Sequence, residues 1–432
     1  MLTPEENELL TRVGPETPMG RLMRRYWAPV LFSSELAEPD CPPRRVRVLG
    51  EDLVAFRDTS GRVGLLEQHC PHRGASLFFG RNEECGLRCV YHGWKFDVAG
   101  NCVDMPNEPA ESNPSAPLRT SFKHKIKLTA YPCHEVGGII WAYMGPAELE
   151  PGLPELEWID VPDSHRFQTK HLQESNWLQG LEGGFDYSHI PFLHRGDIDP
   201  GSSERYWNGQ FGIGRNDLAA TDGGFVLGGA RELGNGRTYW SVQQWLMPWY
   251  KGFSFLGYPP ISAHAWVPVD DEHVMIWSVE YRPDRPLRDE EMARSRNWLY
   301  IHSEAVPGTD RPIRNKDNDY LIDRERQRSR QSFTGIRGIG VEDTAVQESM
   351  GPIYDRSSEH LGTADVPIIA LRRGLLQALK DLEEGRTPPG LDPVSQRLQS
   401  VSIEIPSEQS FTDVGIEAMQ AQAIERGELA TV

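Results

Sequence analysis

Two cysteine–histidine pairs have the residue types and spacing of a metal-binding site. Cys70-Pro71-His72 is followed, after 16 residues, by Cys89-Val90-Tyr91-His92. Two thiolates and two imidazoles on short loops suit either a zinc ion or an iron–sulfur cluster. Zinc ribbons more often use Cys-x-x-Cys than Cys-x-His, so the spacing favours the cluster without excluding zinc. The other four cysteines belong to neither pair, and we expect them to be structural: Cys41, Cys85, Cys102 and Cys133.

A second group of candidate metal ligands lies in the segment LEGGFDYSHIPFLH. Asp186 and His189 are three residues apart and share a helix face, whereas His189 and His194, five apart, would lie about 140° from one another on a regular helix. Pro191 can deform the helix between the histidines, because it lacks a backbone donor and clashes with the preceding turn. Two histidines and a carboxylate are the ligand set of non-haem Fe(II) oxygenases. A kinked helix with incidental histidines is the alternative.

The elements around the first group are short and rich in β-branched and aromatic residues. RRVRVLG, DLVAFRD and RVGLLEQ are separated by turns at Gly50-Glu51-Asp52 and Asp58-Thr59-Ser60-Gly61, and similar runs continue to about residue 147. This pattern predicts an all-β domain over residues 41–147. The proline-containing segment that begins at residue 147 predicts a linker.

The second group falls in a part of the chain with a different pattern. A helix-like stretch over residues 175–190 precedes alternating runs such as TYWSVQQWLM and HVMIWSVEYRP, and an apolar helix is expected near residues 367–382. An antiparallel sheet with helices on one face, an α+β domain over residues 148–432, accounts for this order. Gly183 and Gly184 each cost a helix about 1 kcal/mol relative to alanine, so we expect close backbone packing there.

Residues 1–40 are predicted to form a helical segment that packs on the α+β part of the chain. Thr3, Pro4 and Glu6 have the spacing of a capping box with a proline in the first turn. A second short helix is predicted over residues 18–26.

The composition excludes several classes of function. Among 432 residues, 63 Asp and Glu outnumber 45 Lys and Arg, for a formal net charge of −18. This charge repels phosphate backbones and anionic lipid surfaces, so we expect neither nucleic acid nor membrane as a partner. No apolar run approaches the roughly 18 residues of a membrane-spanning helix. The beginning MLTPEENELL carries acids where a signal peptide carries bases, and we therefore expect a cytoplasmic location.

The motifs resemble those of a known family. CPHRG together with CVYHGWKF resembles the Rieske signature of ring-hydroxylating oxygenases, and Asp-x-x-His-x-x-x-x-His, preceded by Glu182, resembles their mononuclear-iron motif. Three longer stretches are similar to the phthalate dioxygenase subfamily: NELLTRVGPETPMGRLMRRYW, GLRCVYHGWKFDVAGNCVDMPNEP and RNKDNDYLIDRERQ. The resemblance implies an all-β Rieske [2Fe–2S] domain followed by an α+β helix-grip catalytic domain.

The resemblance also implies the ligands of two iron sites. The [2Fe–2S] cluster would be held by both cysteine–histidine pairs, with one iron bound by the two cysteines and the other by the two histidines. This assigns Cys70, His72, Cys89 and His92 to the cluster. A mononuclear Fe(II) would be bound by His189 and His194.

The third ligand of the mononuclear iron is a distant carboxylate in this family. The stretch GVEDTAVQES fits its position at the start of a helix, and Asp343 is chosen over the adjacent Glu342 by resemblance alone. An acid at that place is also a common complement of the helix dipole. Three other acids are weaker rivals, better explained as solvated loop charge: Asp317, Asp319 and Asp323.

Two further residues receive catalytic roles by resemblance. Asp186 would bridge subunits of a head-to-tail trimer, accepting hydrogen bonds from His189 of its own chain and from His92 of a neighbour. It would also fix which imidazole nitrogen carries the proton. Asn176, near the start of the same helix, would be a hydrogen-bonding group behind the ligands.

The implied enzyme is the terminal oxygenase of a multicomponent Rieske oxygenase. It would use O2 and electrons from NADH, supplied by a flavin and iron–sulfur reductase, to cis-dihydroxylate a phthalate-like aryl carboxylate in aromatic-compound degradation. O-demethylation of a lignin-derived methoxylated aromatic acid by a monooxygenase is the alternative. Arg205 and Arg215 are candidates to bind the substrate carboxylate. A homotrimer, or a dimer of trimers, is the assembly implied.

Two functions from other classes fit the sequence less well. A Rieske-type electron carrier would need only the β domain, and a long chain follows residue 145. A zinc-stabilised binding protein would use the four cluster ligands structurally, but gives no reason for the distorted helix around Asp186 and His194.

Overall fold

The computed structural model describes residues 1–108, 122–195, 215–255, 258–397 and 402–412, together with 414 and 417. The chain divides into two units, one formed by Arg24–Glu150 and the other by Met1–Met23 with Pro151–Val432. The first unit begins before the boundary at residue 41 that the sequence suggested, because strand Trp27–Phe32 pairs with strand Ile139–Tyr143. We call the two parts the β unit and the α+β unit.

The β unit consists of three small antiparallel sheets, which confirms the predicted all-β domain. Their strand orders are β1-β11-β10, β2-β3-β4-β9 and β5-β6-β7-β8. The strands are β1 (Trp27–Phe32), β2 (Arg44–Val48), β3 (Glu51–Arg57), β4 (Val63–Glu67), β5 (Arg81–Glu83), β6 (Gly86–Arg88), β7 (Lys95–Phe96), β8 (Cys102–Asp104), β9 (Ala130–Tyr131), β10 (Cys133–Val136) and β11 (Ile139–Tyr143). Short 3-10 turns lie at Ser33–Leu36, Leu77–Phe79, Lys123–Lys125 and Ala147–Leu149.

One apolar core in the β unit includes two of the predicted metal ligands. Cys70 and Cys89 are buried in a cluster with Phe56, Leu87 and Phe96, where the side chains are removed from water. Apolar packing on the strands therefore fixes where the two cysteine-bearing loops begin.

The α+β unit is organised around one antiparallel sheet of eight strands. Its order is β12-β18-β17-β16-β15-β14-β13, and β19 pairs with the first half of β15. The strands are β12 (Arg166–Gln173), β13 (Asn216–Thr221), β14 (Gly224–Glu232), β15 (Arg237–Leu246), β16 (Tyr250–Phe255), β17 (Tyr258–Pro268), β18 (Val274–Tyr281) and β19 (Ser402–Pro406). This sheet, with helices packed on it, confirms the predicted α+β class.

The helices of the α+β unit include both predicted N-terminal helices. They are α1 (Pro4–Thr11), α2 (Pro18–Met23), α3 (Trp177–Phe185), α4 (Ile190–Leu193), α5 (Asp289–Arg296), α6 (Arg324–Arg328), α7 (Ile339–Ser349) and α8 (Val366–Glu383), with 3-10 turns at Asp163–His165, Lys316–Leu321, Thr363–Asp365 and Pro393–Gln396. The capping box is confirmed: Thr3 Oγ1 accepts from the N–H of Glu6 (3.1 Å), and the Glu6 carboxylate accepts from the N–H of Thr3 (2.8 Å).

Helix α3 packs so closely on its neighbours that a Cβ at any of three positions would require a neighbouring side chain to shift. A Cβ at Gly180 or Gly184 would lie 2.4 or 2.6 Å from the indole of Trp266 on β17, and one at Gly183 would lie 2.2 Å from the amide nitrogen of Gln347 on α7. These contacts are shorter than van der Waals distance. The close packing expected from the two consecutive glycines is therefore present.

The sequence placed the helix break between the two histidines, but in the structure the break lies before His189. Helix α3 ends at Phe185. The next residue, Asp186, has an extended backbone (φ −86°, ψ 107°), and His189 is the N-cap of the separate helix α4. Pro191 falls in the first turn of α4, where the missing N–H has no intrahelical acceptor to lose. The proline thus begins a new helix instead of bending a continuous one.

Candidate metal centres

The two cysteine–histidine loops of the β unit repeat one backbone arrangement. In loops 70–75 and 89–94, the N–H of the cysteine donates to the carbonyl five residues later, at 2.9 and 2.8 Å. The N–H of the glycine four residues later donates back to the cysteine carbonyl, at 2.9 and 3.0 Å. These glycines, Gly74 and Gly93, have φ of +73° and +79°, a left-handed conformation that side chains disfavour. Main-chain hydrogen bonds close both loops, and in the second loop Arg88 also donates to the carbonyl of Gly93.

The side chains of these loops form the donor set that the sequence predicts. The Cys70 and Cys89 thiols are buried, and the rings of His72 and His92 lie with centroids 4.4 Å apart. The His72 ring stacks on Trp94 at 4.5 Å, which restricts its orientation. Burial, reinforced by the Cys89 thiol, raises the pKa of Cys70 to about 11, while the N–H of His72 opposes the rise. A cation between the sulfurs would deprotonate both, so these four residues fit a cluster with two soft and two imidazole ligands.

The second centre is formed by three side chains that converge in the α+β unit. Nε2 of His189 and Nε2 of His194 are 3.2 Å apart, and Oδ1 of Asp343 lies 3.4 and 3.3 Å from them. Donor atoms on neighbouring positions of one metal ion, with bonds of about 2.1 Å, are about 3 Å apart. The three atoms therefore fit a single metal ion, and two histidines with one carboxylate are the facial set of non-haem Fe(II).

A carboxylate from α7 lies behind His194 and orients its ring. Oε2 of Glu342 is 2.8 Å from Nδ1 of His194, and Oε1 of Glu342 accepts a hydrogen bond from Thr334 at 2.5 Å. Glu342 is completely buried. Since an ionised carboxylate can only accept, Nδ1 of His194 carries a proton, which leaves Nε2 as the nitrogen available to a metal ion next to Asp343.

Asp186 orients the ring of His189 in the way that Glu342 orients the ring of His194. Oδ2 of Asp186 lies 3.5 Å from Nδ1 of His189. Oδ1 accepts two hydrogen bonds from Ser188, one from the backbone N–H and one from the hydroxyl, both at 2.6 Å. Each histidine is thus oriented by its own carboxylate, and the Asp186 side chain keeps about 27% of its surface exposed.

The charges at this centre favour a cation. Burial lowers the pKa of His194, but Asp343 and Glu342 outweigh it and raise that pKa to about 10. The pKa of His189 is also raised, against burial, by Asp186 and Asp343. Burial by itself would raise the pKa of Asp343, yet the two imidazoles hold it far below its usual range. Positive charge is stabilised where the three donor atoms meet, whether protons or a metal ion carry it.

Asn176 lies at the opposite end of α3 from Asp186. Its Oδ1 caps the helix by accepting from the N–H of Leu178 (3.1 Å), and its Nδ2 donates to the carbonyls of Thr11 (2.9 Å) and Asp271 (2.7 Å). None of these bonds reaches the histidines or Asp343. The hydrogen bonds of Asn176 give it the role of fixing the start of α3, in place of the catalytic role expected from the sequence.

Of the two predicted substrate arginines, the structure describes Arg215. Arg215 is exposed and pairs with Asp217, two residues further along the chain, with its guanidinium 5.4 Å from the Trp240 ring. Arg205 lies outside the described residues.

Sequence reasoning missed two residues near this centre. Glu342 was weighed only as a rival ligand, although a carboxylate next to a ligand is the usual partner of a second imidazole nitrogen. Lys251 on β16 was not singled out, but it is buried and its Nζ donates to the carbonyl of Gly184, at the end of α3. A lysine in an otherwise apolar alternating strand was the signal available for it.

Two family profiles match the chain. The Rieske [2Fe-2S] domain profile matches residues 26–131, and the profile described as LigXa C-terminal domain like matches residues 261–426. The first contains both cysteine–histidine loops, and the second contains Asp343.

Several characterised proteins are similar over nearly the full length. The chain is 38% identical over 417 residues to the 3-chlorobenzoate-3,4-dioxygenase oxygenase subunit of Comamonas testosteroni, covering 92% of this chain and 93% of the relative. It is 38% identical over 409 residues to the phthalate 4,5-dioxygenase oxygenase subunit of Pseudomonas putida, covering 90% and 89%. It is 32% identical over 440 residues to the 5,5'-dehydrodivanillate O-demethylase oxygenase subunit of a Sphingobium strain, covering 99% and 91%.

Solved structures share the fold at lower identity. A variant of NdmA of Pseudomonas putida CBB5 with theobromine superposes with a TM-score of 0.59 at 19% identity, covering 90% of this chain and 98% of that one. Dicamba monooxygenase bound to dicamba superposes with a TM-score of 0.56 at 18% identity, covering 84% and 99%.

Both domains and two iron centres of different ligation define an oxygenase of the Rieske non-haem iron class. Within that class, the chain belongs to the family of oxygenase subunits that includes the phthalate and 3-chlorobenzoate dioxygenases. The predicted enzyme class, an oxidoreductase of the dioxygenase and monooxygenase type, is confirmed, as are a Rieske [2Fe–2S] cluster and a mononuclear iron as cofactors. Among the described residues, no helix has the length and apolar character needed to cross a bilayer.

Proposed function

We propose that this chain is the terminal oxygenase that cis-dihydroxylates a phthalate-like aryl carboxylate, with O2 and with electrons from NADH. The observation that carries the proposal is the convergence of His189, His194 and Asp343 on one point, with a carboxylate behind each histidine. The two relatives at 38% identity are named for phthalate and for 3-chlorobenzoate, both aryl carboxylates.

The ligands follow from this arrangement. Cys70 and Cys89 hold one iron of the cluster, and His72 and His92 hold the other. His189, His194 and Asp343 hold the mononuclear iron. When bound, the cluster supplies electrons and the mononuclear iron activates dioxygen beside the substrate.

The protein's own groups prepare the mononuclear site before substrate arrives. Asp186 and Glu342 keep the Nδ1 protons of the two histidines in place, so that both Nε2 atoms remain free as ligands. The contact between Glu342 and His194 is buried, which excludes water from the bond that orients this ring.

Asp186 has a second role in this proposal. Its side chain is partly exposed, and so is the ring of His92 in the β unit. In a homotrimer, or a dimer of trimers, Asp186 accepts a hydrogen bond from His92 of a neighbouring subunit and connects the cluster of one subunit with the mononuclear iron of the next. A flavin and iron–sulfur reductase supplies the electrons to the cluster.

O-demethylation of a methoxylated aromatic acid is the second candidate. It is favoured by the similarity to the 5,5'-dehydrodivanillate O-demethylase oxygenase subunit, which extends over 99% of this chain. Both reactions need the same two iron centres, so the substrate that fits beside the mononuclear iron decides between them.

Product analysis with labelled oxygen tests the proposal. The holoenzyme would be supplied with NADH, a phthalate dioxygenase-type reductase and ¹⁸O2, and offered phthalate, 3-chlorobenzoate, vanillate and their methoxylated relatives. A cis-dihydrodiol with two labelled oxygens supports dihydroxylation, whereas formaldehyde and a phenol support O-demethylation. Uncoupled NADH oxidation, which yields only hydrogen peroxide with every aromatic acid, would contradict both.

A further inference from the structure

Lys251 is a buried lysine that none of the roles described so far explains. Resting on the proposed function, we propose that its ammonium group binds the carboxylate of the aromatic acid beside the mononuclear iron. The proposal assigns to Lys251 the substrate contact that the sequence had suggested for Arg205 and Arg215.

The position of Lys251 follows from the register of the sheet. Lys251 on β16 lies directly opposite Trp245 on β15 and opposite His264 on β17. His264 in turn lies opposite Ser278 on β18, and Ser278 opposite Thr169 on β12. Directly opposed residues share one face of a sheet, so these five side chains form a single row across it.

This row is on the face of the sheet that α3 covers. Trp266, two residues after His264 on the same strand, meets Gly180 and Gly184 of α3. Phe185, the last residue of α3, packs on Phe225, which lies opposite Trp245 in the same row. The residue that follows Phe185 is Asp186, and the row therefore runs beneath the helix end that leads into the metal ligands.

The ammonium of Lys251 is poorly provided with acceptors. In the described part of the chain its one acceptor is the carbonyl of Gly184, and no carboxylate lies within ion-pair distance. An ammonium has three donors, so two remain for another group. The rings of Phe253 and Phe185, 4.8 and 5.4 Å from Nζ, surround the cation with aromatic surface. A cation flanked by aromatic rings suits a ligand that combines an anionic group with an aromatic ring.

Lys170, a second buried lysine of the same sheet, has a structural role and serves as a comparison. Lys170 on β12 pairs in register with Trp277, so it points to the opposite face from Lys251. Its Nζ is 3.4 Å from a carboxylate oxygen of Asp310, and it lies 5.4 Å from the Trp277 ring. Lys170 has a charged partner, as buried charges require, whereas the partner of Lys251 among the described residues is a neutral carbonyl.

The electrostatics agree with this assignment. Burial lowers the pKa of Lys251 to about 7, and the charges of Asp343 and Asp186 oppose that shift. The contact with Gly184, two residues before Asp186, places the ammonium at the end of α3 that leads into the metal ligands. A substrate carboxylate next to Nζ favours the charged lysine further, because opposite charges stabilise one another in a buried site.

The alternative is a structural role in which Lys251 only caps α3. The carbonyl of Gly184 is among the last four of that helix, where a lysine is a common partner. Loss of the cap would disturb α3 and the metal-binding residues, and would therefore weaken the binding of acids and neutral aromatic compounds alike. Loss of a contact to the substrate carboxylate would weaken the binding of acids only.

Calorimetric titration of the holoenzyme with phthalate, 3-chlorobenzoate and 3-chlorobenzamide separates the two roles. We expect Lys251→Met to weaken binding of the acid by about 10- to 100-fold, the value of one charge-assisted contact, and to leave amide binding and iron content unchanged. Lys251→Arg should retain most of the preference for the acid. Lys170→Met, the control, should lower the Tm and leave that preference intact.

Three results would overturn the assignment. These are unchanged acid binding in Lys251→Met, an equal loss for acid and amide, and loss of iron from the variant with normal binding after iron is restored. A different observation would refute the proposed function itself: wild-type protein that binds neither acid but turns over a neutral arene. That result would rule out an aryl carboxylate substrate and with it the role assigned to Lys251.

Discussion

Glu342 and Asp343 are adjacent acids on α7 that contact different atoms of the same imidazole. Asp343 faces Nε2 of His194 at 3.3 Å, and Glu342 faces Nδ1 at 2.8 Å. Successive helix residues point about 100° apart, so a ring inserted beside α7 can meet both. Sequence alone could not divide these roles, because the ring that separates them comes from a position 148 residues earlier.

Replacing Glu342 by glutamine should weaken iron binding without affecting the cluster. The amide removes the charge that holds the Nδ1 proton of His194, and loss of such a partner typically lowers metal affinity about 10- to 100-fold. Iron content after dialysis against graded chelator would measure it. Glu348→Gln is the control, because Glu348 is on the same helix but bonds Tyr320. Equal iron retention in both variants would argue against the orienting role.

Asp186→Asn should lower turnover by about 100-fold while both iron centres stay occupied. The carboxylate has no direct place among the metal ligands, but it orients His189 and, in the proposed trimer, receives His92 of a neighbouring subunit. Turnover, iron content and the EPR spectrum of the reduced cluster would be compared with those of Asp217→Asn, which removes a carboxylate that contacts Arg215 and Ser410 instead of a histidine. Full turnover with full metal content would rule out the bridging role.

At the scale of elements, α3 depends on the absence of side chains where it meets the sheet. Gly180→Ala places a Cβ 2.4 Å from the Trp266 indole, and overpacking of this kind costs typically 1–3 kcal/mol. We expect a lower Tm and reduced iron content, since α3 leads directly into Asp186 and His189. Gly14→Ala is the control, because its nearest neighbour would be 3.9 Å away. Equal stability of the two variants would contradict the close packing.

Local spacing predicted some elements well and others poorly. The capping box of α1 involves residues three apart, so the sequence contains everything that forms it. The region between α3 and α4 depends on what surrounds it: Asp186 leaves the helix to accept from Ser188 and to reach His189. A proline nearby correctly indicated an interruption but not its position.

The register of the sheet was beyond sequence reasoning for a similar reason. Lys251 and His264 are opposed only because the β16–β17 pairing places them so, and one residue of slip would move Lys251 to the other face. Arg215 was chosen because it lies in the segment from which the sheet is built, but its guanidinium finds Asp217 within two residues.

At the scale of the whole molecule, one buried ion network connects elements far apart in the α+β unit. Glu182 on α3 accepts from Arg356 at 2.9 Å and from Arg372 on α8 at 2.6 Å, and Arg356 also donates to Asn7 on α1. These contacts join the beginning of the chain to its later helices. Removal of one member leaves uncompensated charge in a buried site.

The stability from this network should depend on pH. Although burial opposes it, Arg356 and Arg372 lower the pKa of Glu182 below its ordinary value of 4.5. The unfolded state therefore takes up the proton first as pH falls, and stability is present above about pH 4.5 and lost below it. Glu182→Gln should cost about 3 kcal/mol near pH 7 and progressively less below pH 4.5.

Thermal unfolding of the wild type and Glu182→Gln between about pH 3 and pH 7 would measure this difference. Glu8→Gln serves as the control, because the Glu8 carboxylate is 62% exposed beside Arg12 and such pairs contribute little. A gap between wild type and Glu182→Gln that widens towards acid would have the wrong sign for this account.

The ligands proposed for the two iron centres differ and lie in different units, so the centres should be separable. A chelator that removes the mononuclear iron should abolish turnover and leave the visible spectrum of the cluster unchanged. Fe(II) should restore turnover, and Zn(II) should bind without restoring it because zinc has no redox chemistry. Parallel loss of the cluster and the mononuclear iron would show that the centres are not independent.

The two cluster loops of the β unit are closed by main-chain hydrogen bonds in which the histidine side chains take no part. The substitutions His72→Cys and His92→Cys should therefore leave the loop conformation intact and change the reduction potential of the cluster. All-cysteine clusters are about 250 mV or more below Rieske clusters, so such exchanges would make the cluster a stronger reductant. In this unit the main chain determines shape and two imidazoles determine the driving force for electron transfer, and either can vary without the other.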